Sequence, residues 1–138
     1  MRSLAFLLPL LFAVPPAVAQ QSDTDYYTAA FYRLDQDKDG GFTLVDLQRI
    51  SAKEFKRTDD DRNGTLSIDE YLYGIPAERQ DVLVRFTARF RASDTDGDGA
   101  VTPEEDAAFC ARLVAAADTD HDGVVTLAEY LAVSGGER

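Results

Sequence analysis

The twelve residues DQDKDGGFTLVD, residues 35–46, decide the fold of this chain, because the same pattern returns three more times. The other copies are DDDRNGTLSIDE at 59–70, DTDGDGAVTPEE at 94–105 and DTDHDGVVTLAE at 118–129. Every copy has short oxygen-bearing side chains at positions 1, 3 and 5, glycine at position 6 and a carboxylate at position 12. We number these segments loops one to four.

Such a loop can gather oxygen atoms around one centre. Glycine at position 6 adopts positive φ without a steric penalty, so the backbone can turn tightly there. Side chains at positions 1, 3 and 5, the carbonyl of position 7 and the carboxylate of position 12 then form a shell of oxygen ligands, which suits Ca²⁺. The predicted ligands in loops one and two are Asp35, Asp37, Asp39, Gly41 and Asp46, and Asp59, Asp61, Asn63, Thr65 and Glu70. In loops three and four they are Asp94, Asp96, Asp98, Ala100 and Glu105, and Asp118, Asp120, Asp122, Val124 and Glu129.

This pattern resembles the EF-hand loop of the calmodulin superfamily, D-x-[DN]-x-[DN]-G-x5-E, and loops two, three and four match it fully. The resemblance implies an all-α fold of four helix-loop-helix units, with short β-bridges between paired loops. Position 8, which forms that bridge in the family, is apolar in every copy: Phe42, Leu66, Val101 and Val125. Position 9 is Thr or Ser, three residues before the acid, which is the capping-box spacing of a helix start.

Loop one departs from the family pattern at its last position. Asp46 stands where the EF-hand loop has glutamate, and its side chain is one methylene shorter. We expect fewer oxygens around an ion in this loop, and therefore weaker calcium binding or tolerance of Mg²⁺, whose octahedral shell needs fewer protein ligands. The sequence thus predicts three or four Ca²⁺ ions.

The spacing of the loops predicts how they pair. Loops one and two start 24 residues apart, as do loops three and four, and neither short linker contains Gly or Pro. Each linker is therefore predicted to form one helix shared by adjacent hands; residues 44–58 would span about 22 Å. Loops at opposite ends of one helix cannot bridge, so we predict pairing of loop two with three and of loop one with four. The alternative pairs one with two and three with four through kinked helices.

The middle linker, residues 71–93, contains Gly74 and Pro76. We predict two antiparallel helices there, with Pro76 in the first turn of the second. The residue four places before each loop is apolar, and we assign these side chains to the core. They are Phe31, Phe55, Phe90 and Val114.

Residues 1–19 have the features of an export signal: Arg2, an apolar segment and a small-residue cleavage site at residues 17–19. The alternative is a membrane anchor, but the apolar segment is shorter than the roughly 20 residues that cross a bilayer. We therefore expect a single domain at residues 20–138, periplasmic or secreted, monomeric and without a membrane anchor after cleavage.

The net charge limits the possible partners, and the cysteine content limits the possible disulfides. The chain has a formal net charge of −11, so nucleic acid and anionic membranes are poor partners. Cys110 is the single cysteine, which excludes an internal disulfide. We interpret Cys110 as a core thiol.

The close spacing of the hands, together with export, also resembles lanmodulin, a family of bacterial periplasmic proteins that prefer lanthanides. That family has Pro at position 2 and an additional Asp at position 9. Here position 2 is Gln36, Asp60, Thr95 or Thr119, and position 9 is Thr or Ser. The resemblance is partial, and lanthanide binding is kept as an alternative.

The sequence favours a binding function over catalysis, and two kinds of calcium-binding function are possible. The single histidine, His121, is at a loop position between two ligands and has no features of a general base, so we predict that the chain is not an enzyme. We favour an exported calcium-binding protein that buffers, stores or folds on the ion. The alternative is a calcium sensor or adaptor that captures a protein partner, although Met1 is the only methionine available to line a calmodulin-like groove.

Overall fold

A computed structural model describes residues 20–134 of the chain, which are mostly helical with short antiparallel strands, as predicted. The predicted export signal, residues 1–19, lies outside the described residues. Within residues 20–134, no helix is long and apolar enough to cross a membrane. In chain order the elements are α1 (Gln20–Leu34), β1 (Gly41–Thr43), α2 (Leu44–Thr58), β2 (Leu66–Ser67), α3 (Ile68–Tyr71), α4 (Gln80–Ser93), β3 (Ala100–Val101), α5 (Pro103–Ala117), β4 (Val124–Thr126) and α6 (Leu127–Ser134).

The strands pair as the spacing of the loops predicts. β1 pairs with β4 in antiparallel orientation, with Phe42 opposite Val125. β2 pairs with β3 in the same orientation, with Leu66 opposite Val101. Loop one is therefore joined to loop four and loop two to loop three, and the alternative pairing of neighbouring loops is wrong.

Two helices are shared between adjacent loops, which confirms the prediction from the short linkers. α2 begins directly after β1 and ends at Thr58, one residue before loop two. α5 begins within loop three and ends at Ala117, one residue before loop four. Because neither linker contains a helix breaker, each helix continues without interruption from one loop to the next.

The chain divides into two compact units, and the first contains residues 51–109. Its core is built around the β2–β3 bridge. The buried residues are Phe55, Leu66, Phe90 and Val101, and Ile68 and Tyr71 pack against them. Tyr71 makes edge-to-face contacts with Phe90 and Phe86, at centroid distances of 5.6 Å and 6.2 Å. Aromatic pairs of this geometry stabilise a core beyond the area that they bury.

The second unit contains, among the described residues, 20–50 and 110–134. Its core is a group of aromatic rings beside the β1–β4 bridge. Phe31, Phe42 and Tyr130 form a triangle with centroid distances of 5.8, 5.8 and 6.1 Å, and Tyr27 lies against Tyr130. Cys110 is fully buried in this unit, as expected for a core thiol.

The prediction for the middle linker is wrong in part. α3 is only four residues long, and α4 begins at Gln80, so Pro76 does not lie in the first turn of a helix. Gly74 has φ of 81°, and the N–H groups of Ile75 and Arg79 donate to carbonyls three residues earlier. Consecutive turns therefore satisfy the backbone between the two helices, and the second helix starts later than Pro76 suggests.

Candidate metal centres

Each loop starts at the last turn of a helix. The N–H of the aspartate at position 1 donates to the carbonyl four residues earlier, at 2.8–2.9 Å, in all four loops. Those carbonyls belong to the apolar residues predicted for the core, which are buried: Phe31, Phe55, Phe90 and Val114. The core therefore fixes the first predicted ligand position of each loop through a backbone hydrogen bond.

Two positions in each loop have positive φ. Position 6 is glycine in all four loops, with φ between 88° and 101°, as the sequence predicts. Position 4 is also in the left-handed region, with φ of 59–73°, which was not predicted from the sequence. The residues at position 4 are Lys38, Arg62, Gly97 and His121. Gly97 carries a clear sequence signal for this conformation and His121 a weak one, whereas Lys38 and Arg62 carry none.

Backbone N–H groups within the loop hold the side chains at positions 1 and 5. The N–H of the position 6 glycine donates to the carboxylate of the position 1 aspartate at 3.0–3.2 Å in each loop. The side-chain oxygen at position 5 accepts the N–H of position 7 at 2.8–3.2 Å. These bonds curl the loop around its own oxygen atoms, as Asp and Asn side chains do in turns.

The glutamate at position 12 joins the two ends of loops two, three and four. Its Oε2 accepts the N–H and the hydroxyl of position 9, and its own N–H donates back to that hydroxyl, which completes the predicted capping box. Its Oε1 accepts the N–H of position 2 across the loop, at 2.9–3.0 Å. Those N–H groups belong to Asp60, Thr95 and Thr119.

These hydrogen bonds keep the glutamates ionised. Donation by the backbone N–H groups of Thr102 and Thr95 lowers the pKa of Glu105 to about 2. Bonds from the backbone and hydroxyl of Thr126 lower the pKa of Glu129 to about 2. Burial raises the pKa of Glu70, but the hydrogen bonds from Ser67 outweigh this effect and the net pKa is lowered. At neutral pH all three are carboxylates, the form that binds a metal ion.

The carboxylates in each loop form a compact group. In loops two to four, the acids at positions 1, 3 and 12 each offer an oxygen within 4.8 Å of the others. The predicted ligands Asp98 and Asp122 are not among these groups. The side-chain oxygen of Asn63, the predicted ligand at position 5 of loop two, accepts the N–H of Thr65. The carbonyls predicted at position 7 belong to residues in or next to the bridging strands. An all-oxygen donor set at this spacing fits a hard divalent cation such as Ca²⁺.

Loop one has a different arrangement. Asp35, Asp37 and Asp39 offer oxygens within 4.8 Å of one another, but Asp46 does not belong to this group. Asp46 is bonded to Thr43 and Arg49. A hydrogen bond from the hydroxyl of Thr43, with its backbone bond and the nearby Arg49, lowers the pKa of Asp46 despite partial burial. The three acids at the start of loop one are therefore gathered without the twelfth residue.

Comparisons with known proteins agree with this geometry. The family model described as EF hand matches residues 87–105 and 115–134, which contain loops three and four. A 16 kDa calcium-binding protein of Schistosoma mansoni is 27% identical over 96 residues, which cover 61% of this chain and 67% of that protein. No solved structure was found to match the chain.

Proposed function

We propose that this chain is an EF-hand calcium-binding protein in which loops two, three and four are the principal Ca²⁺ sites and loop one is a weaker fourth site. The observation that carries the proposal is the bond from position 12 across each of these three loops to position 2. It places the closing carboxylate beside the acids of positions 1 and 3. An ion entering the loop would replace N–H donors by its own charge, with little movement of the glutamate.

The ligand set proposed for each loop is the one predicted from the sequence. Positions 1, 3 and 5 supply side-chain oxygens, position 7 supplies its carbonyl, and position 12 closes the shell. A glutamate can bind an ion through both oxygens, whereas the shorter Asp46 is suited to one. The proposed order of affinity therefore places loop one last.

We propose that the chain buffers or stores calcium, or folds on it, and that it is exported from the cell by residues 1–19. The apolar residues of both cores are buried around the strand bridges, which favours ions that consolidate a closed core. The large exposed apolar side chains among the described residues, Tyr32, Val45, Tyr73 and Val84, come from four separate places in the sequence. If the chain bound more of the apolar dye ANS with calcium than without it, the result would instead support a calcium sensor.

Calorimetric titration of residues 20–138 with calcium tests the proposal. We expect three sites of similar affinity and one weaker site. Glu70→Gln should remove one of the three, because the neutral amide cannot supply a charged ligand. Asp60→Asn is the matched control, since it removes an acid from position 2 of the same loop without removing a ligand. No binding at millimolar calcium, or equal loss in both variants, would contradict the proposal.

Competition with other ions tests metal preference in the same experiment. Hard trivalent lanthanum is expected to displace calcium from all three principal sites, whereas magnesium is expected to compete at loop one only. Occupation of all four loops by lanthanum at concentrations far below those needed for calcium would favour the lanthanide alternative.

A further inference from the structure

We propose that Arg49 is a built-in competitor for the ion at loop one, because its guanidinium occupies the carboxylate that would close the shell. This inference rests on the proposed calcium site in loop one. Nη2 of Arg49 lies 2.6 Å from Oδ1 of Asp46. The pair is made within α2, three residues apart, where side chains are neighbours on the helix surface.

Both oxygens of Asp46 are already engaged. Oδ1 accepts from Arg49, and Oδ2 accepts the N–H of Thr43 at 3.0 Å and its hydroxyl at 2.7 Å. In loop three the equivalent Glu105 also bonds position 9 with one oxygen, but its other oxygen accepts the N–H of Thr95. Arg49 thus takes the oxygen that the other loops direct across to position 2.

The backbone at the start of loop one agrees with this difference, because its position 2 N–H does not bond to Asp46. The N–H of Gln36, at position 2, donates to the carbonyl of Leu34 at 2.9 Å. In loops two, three and four the same N–H donates to the glutamate of position 12. The two ends of loop one are therefore not joined through Asp46, whose short side chain pairs along the helix instead.

The positive charge of Arg49 lets it compete with a calcium ion for the Asp46 carboxylate. Its guanidinium and a divalent ion are both cations that require the same carboxylate, so either one excludes the other from it. The Arg49 side chain is 60% exposed and can move into solvent when an ion arrives. An exposed pair of this kind is worth about two- to fivefold in an equilibrium constant, and added salt weakens it. Loop one should therefore bind calcium more weakly than it would if Asp46 were free to join the first three acids.

The experiment compares Arg49→Gln with Arg57→Gln. Arg57 pairs with Glu54 at 2.9 Å, on the same helix and with the same spacing, but Glu54 is at no ligand position. Both variants lose one positive charge. Calcium titrations are followed by NMR at the amides of Gly40, Gly64, Gly99 and Gly123, since each donates to the first ligand of its own loop.

In Arg49→Gln we expect the midpoint of the Gly40 resonance to move to two- to fivefold lower calcium. The midpoint should also depend less on sodium chloride than in the native chain. The other three glycines, and Gly40 in Arg57→Gln, should keep their native midpoints within error. Amide spectra of both variants before calcium is added establish that the fold is retained.

Three outcomes would overturn the inference. They are an unmoved midpoint at Gly40, a Gly40 resonance that ignores calcium in both native chain and variant, and an equal shift in the two variants. The proposed function is tested separately, because it requires Gly64, Gly99 and Gly123 to respond to calcium whatever Gly40 does.

Discussion

Loop one, whose position 12 side chain is one methylene shorter, lacks the hydrogen bond that joins the two ends of the other loops. Glu70, Glu105 and Glu129 reach position 2, whereas Asp46 stays on its own helix and pairs with Arg49. A glutamate at residue 46 should be long enough to reach position 2 of loop one. We predict that Asp46→Glu raises the calcium affinity of loop one by about tenfold, or about 1.4 kcal/mol.

The measurement is a calcium titration followed at the Gly40 amide. Asp69→Glu is the control, because it lengthens an exposed acid at position 11 of loop two, where no ligand is predicted. An unchanged Gly40 midpoint in Asp46→Glu would show that side-chain length does not limit this loop.

Gly41 permits the close approach of β1 and β4. A Cβ at this position would lie 2.2 Å from Cγ1 of Val124 and 3.2 Å from the carbonyl of Val125. Gly41→Ala should therefore displace the bridge and lower the free energy of unfolding by about 1–3 kcal/mol. Denaturant unfolding measures the change.

Val124→Ala supplies the matched background for this test. It removes the Cγ1 atom that the new methyl would meet, so Gly41→Ala should be clearly less destabilising in that background. Equal losses in the two backgrounds would mean that the effect comes from the backbone of Val125 or from the glycine itself.

The glycine turns and the grouping of the acids at positions 1 and 3 could be predicted because their chemistry is local. Oxygen side chains at alternate positions and one glycine specify a loop without any distant contact. The left-handed conformation at position 4 was not predicted, since Lys38 and Arg62 are not residues that favour it. The pairing of Arg49 with Asp46 was open to prediction from spacing alone, because residues three apart meet on a helix.

At the level of elements, a buried polar contact joins α2 to α5. The hydroxyl of Ser51 donates to the carboxylate of Asp106, and burial raises the pKa of that carboxyl. Loss of this bond leaves a partly buried charge with one donor fewer. We predict that Ser51→Ala lowers the free energy of unfolding at neutral pH by about 1–3 kcal/mol.

Chemical denaturation of Ser51→Ala, Asp106→Asn and the double variant gives the energy of interaction between the two residues. Because the double variant has no Ser51–Asp106 bond left to lose, its destabilisation should be smaller than the two single losses combined. Strict additivity would contradict a direct contribution from this bond.

The helices shared by adjacent loops were predictable, and the start of α4 was not. A linker of good helix formers between two loops has one low-energy conformation, so length and the absence of Gly and Pro were sufficient for α2 and α5. Between α3 and α4 the chain contains both breakers and can satisfy its backbone by several arrangements of turns. Tyr71 of α3 packs against Phe86 of α4, and sequence patterns do not encode a contact of this kind.

At the level of the whole molecule, acidic charge opposes the compact fold. Fifteen of the 25 acidic residues are at predicted ligand positions. Two carboxylates about 5 Å apart repel by about 3 kcal/mol at an effective dielectric constant of 20. Divalent ions offset this repulsion, so chelation should loosen both units.

We predict that calcium at tenfold above the dissociation constants raises the free energy of unfolding by about 1.4 kcal/mol per site, or roughly 4 kcal/mol for three sites. The melting temperature should rise by roughly 10–20 °C. Scanning calorimetry with calcium and with chelator measures the shift. The variant in which Glu70, Glu105 and Glu129 are all glutamine should show little shift, and a full shift there would place the stabilising ions elsewhere.

The crosswise strand pairing has a consequence for the order in which the two units fold. β2 and β3 are about 35 residues apart in sequence, so bringing them together costs less chain entropy than joining β1 to β4, which are about eighty residues apart. Until β4 pairs with β1, Phe31 and Phe42 lack the ring of Tyr130, and an unfinished aromatic surface is exposed. Completion of the last hand is thus the event that closes the first.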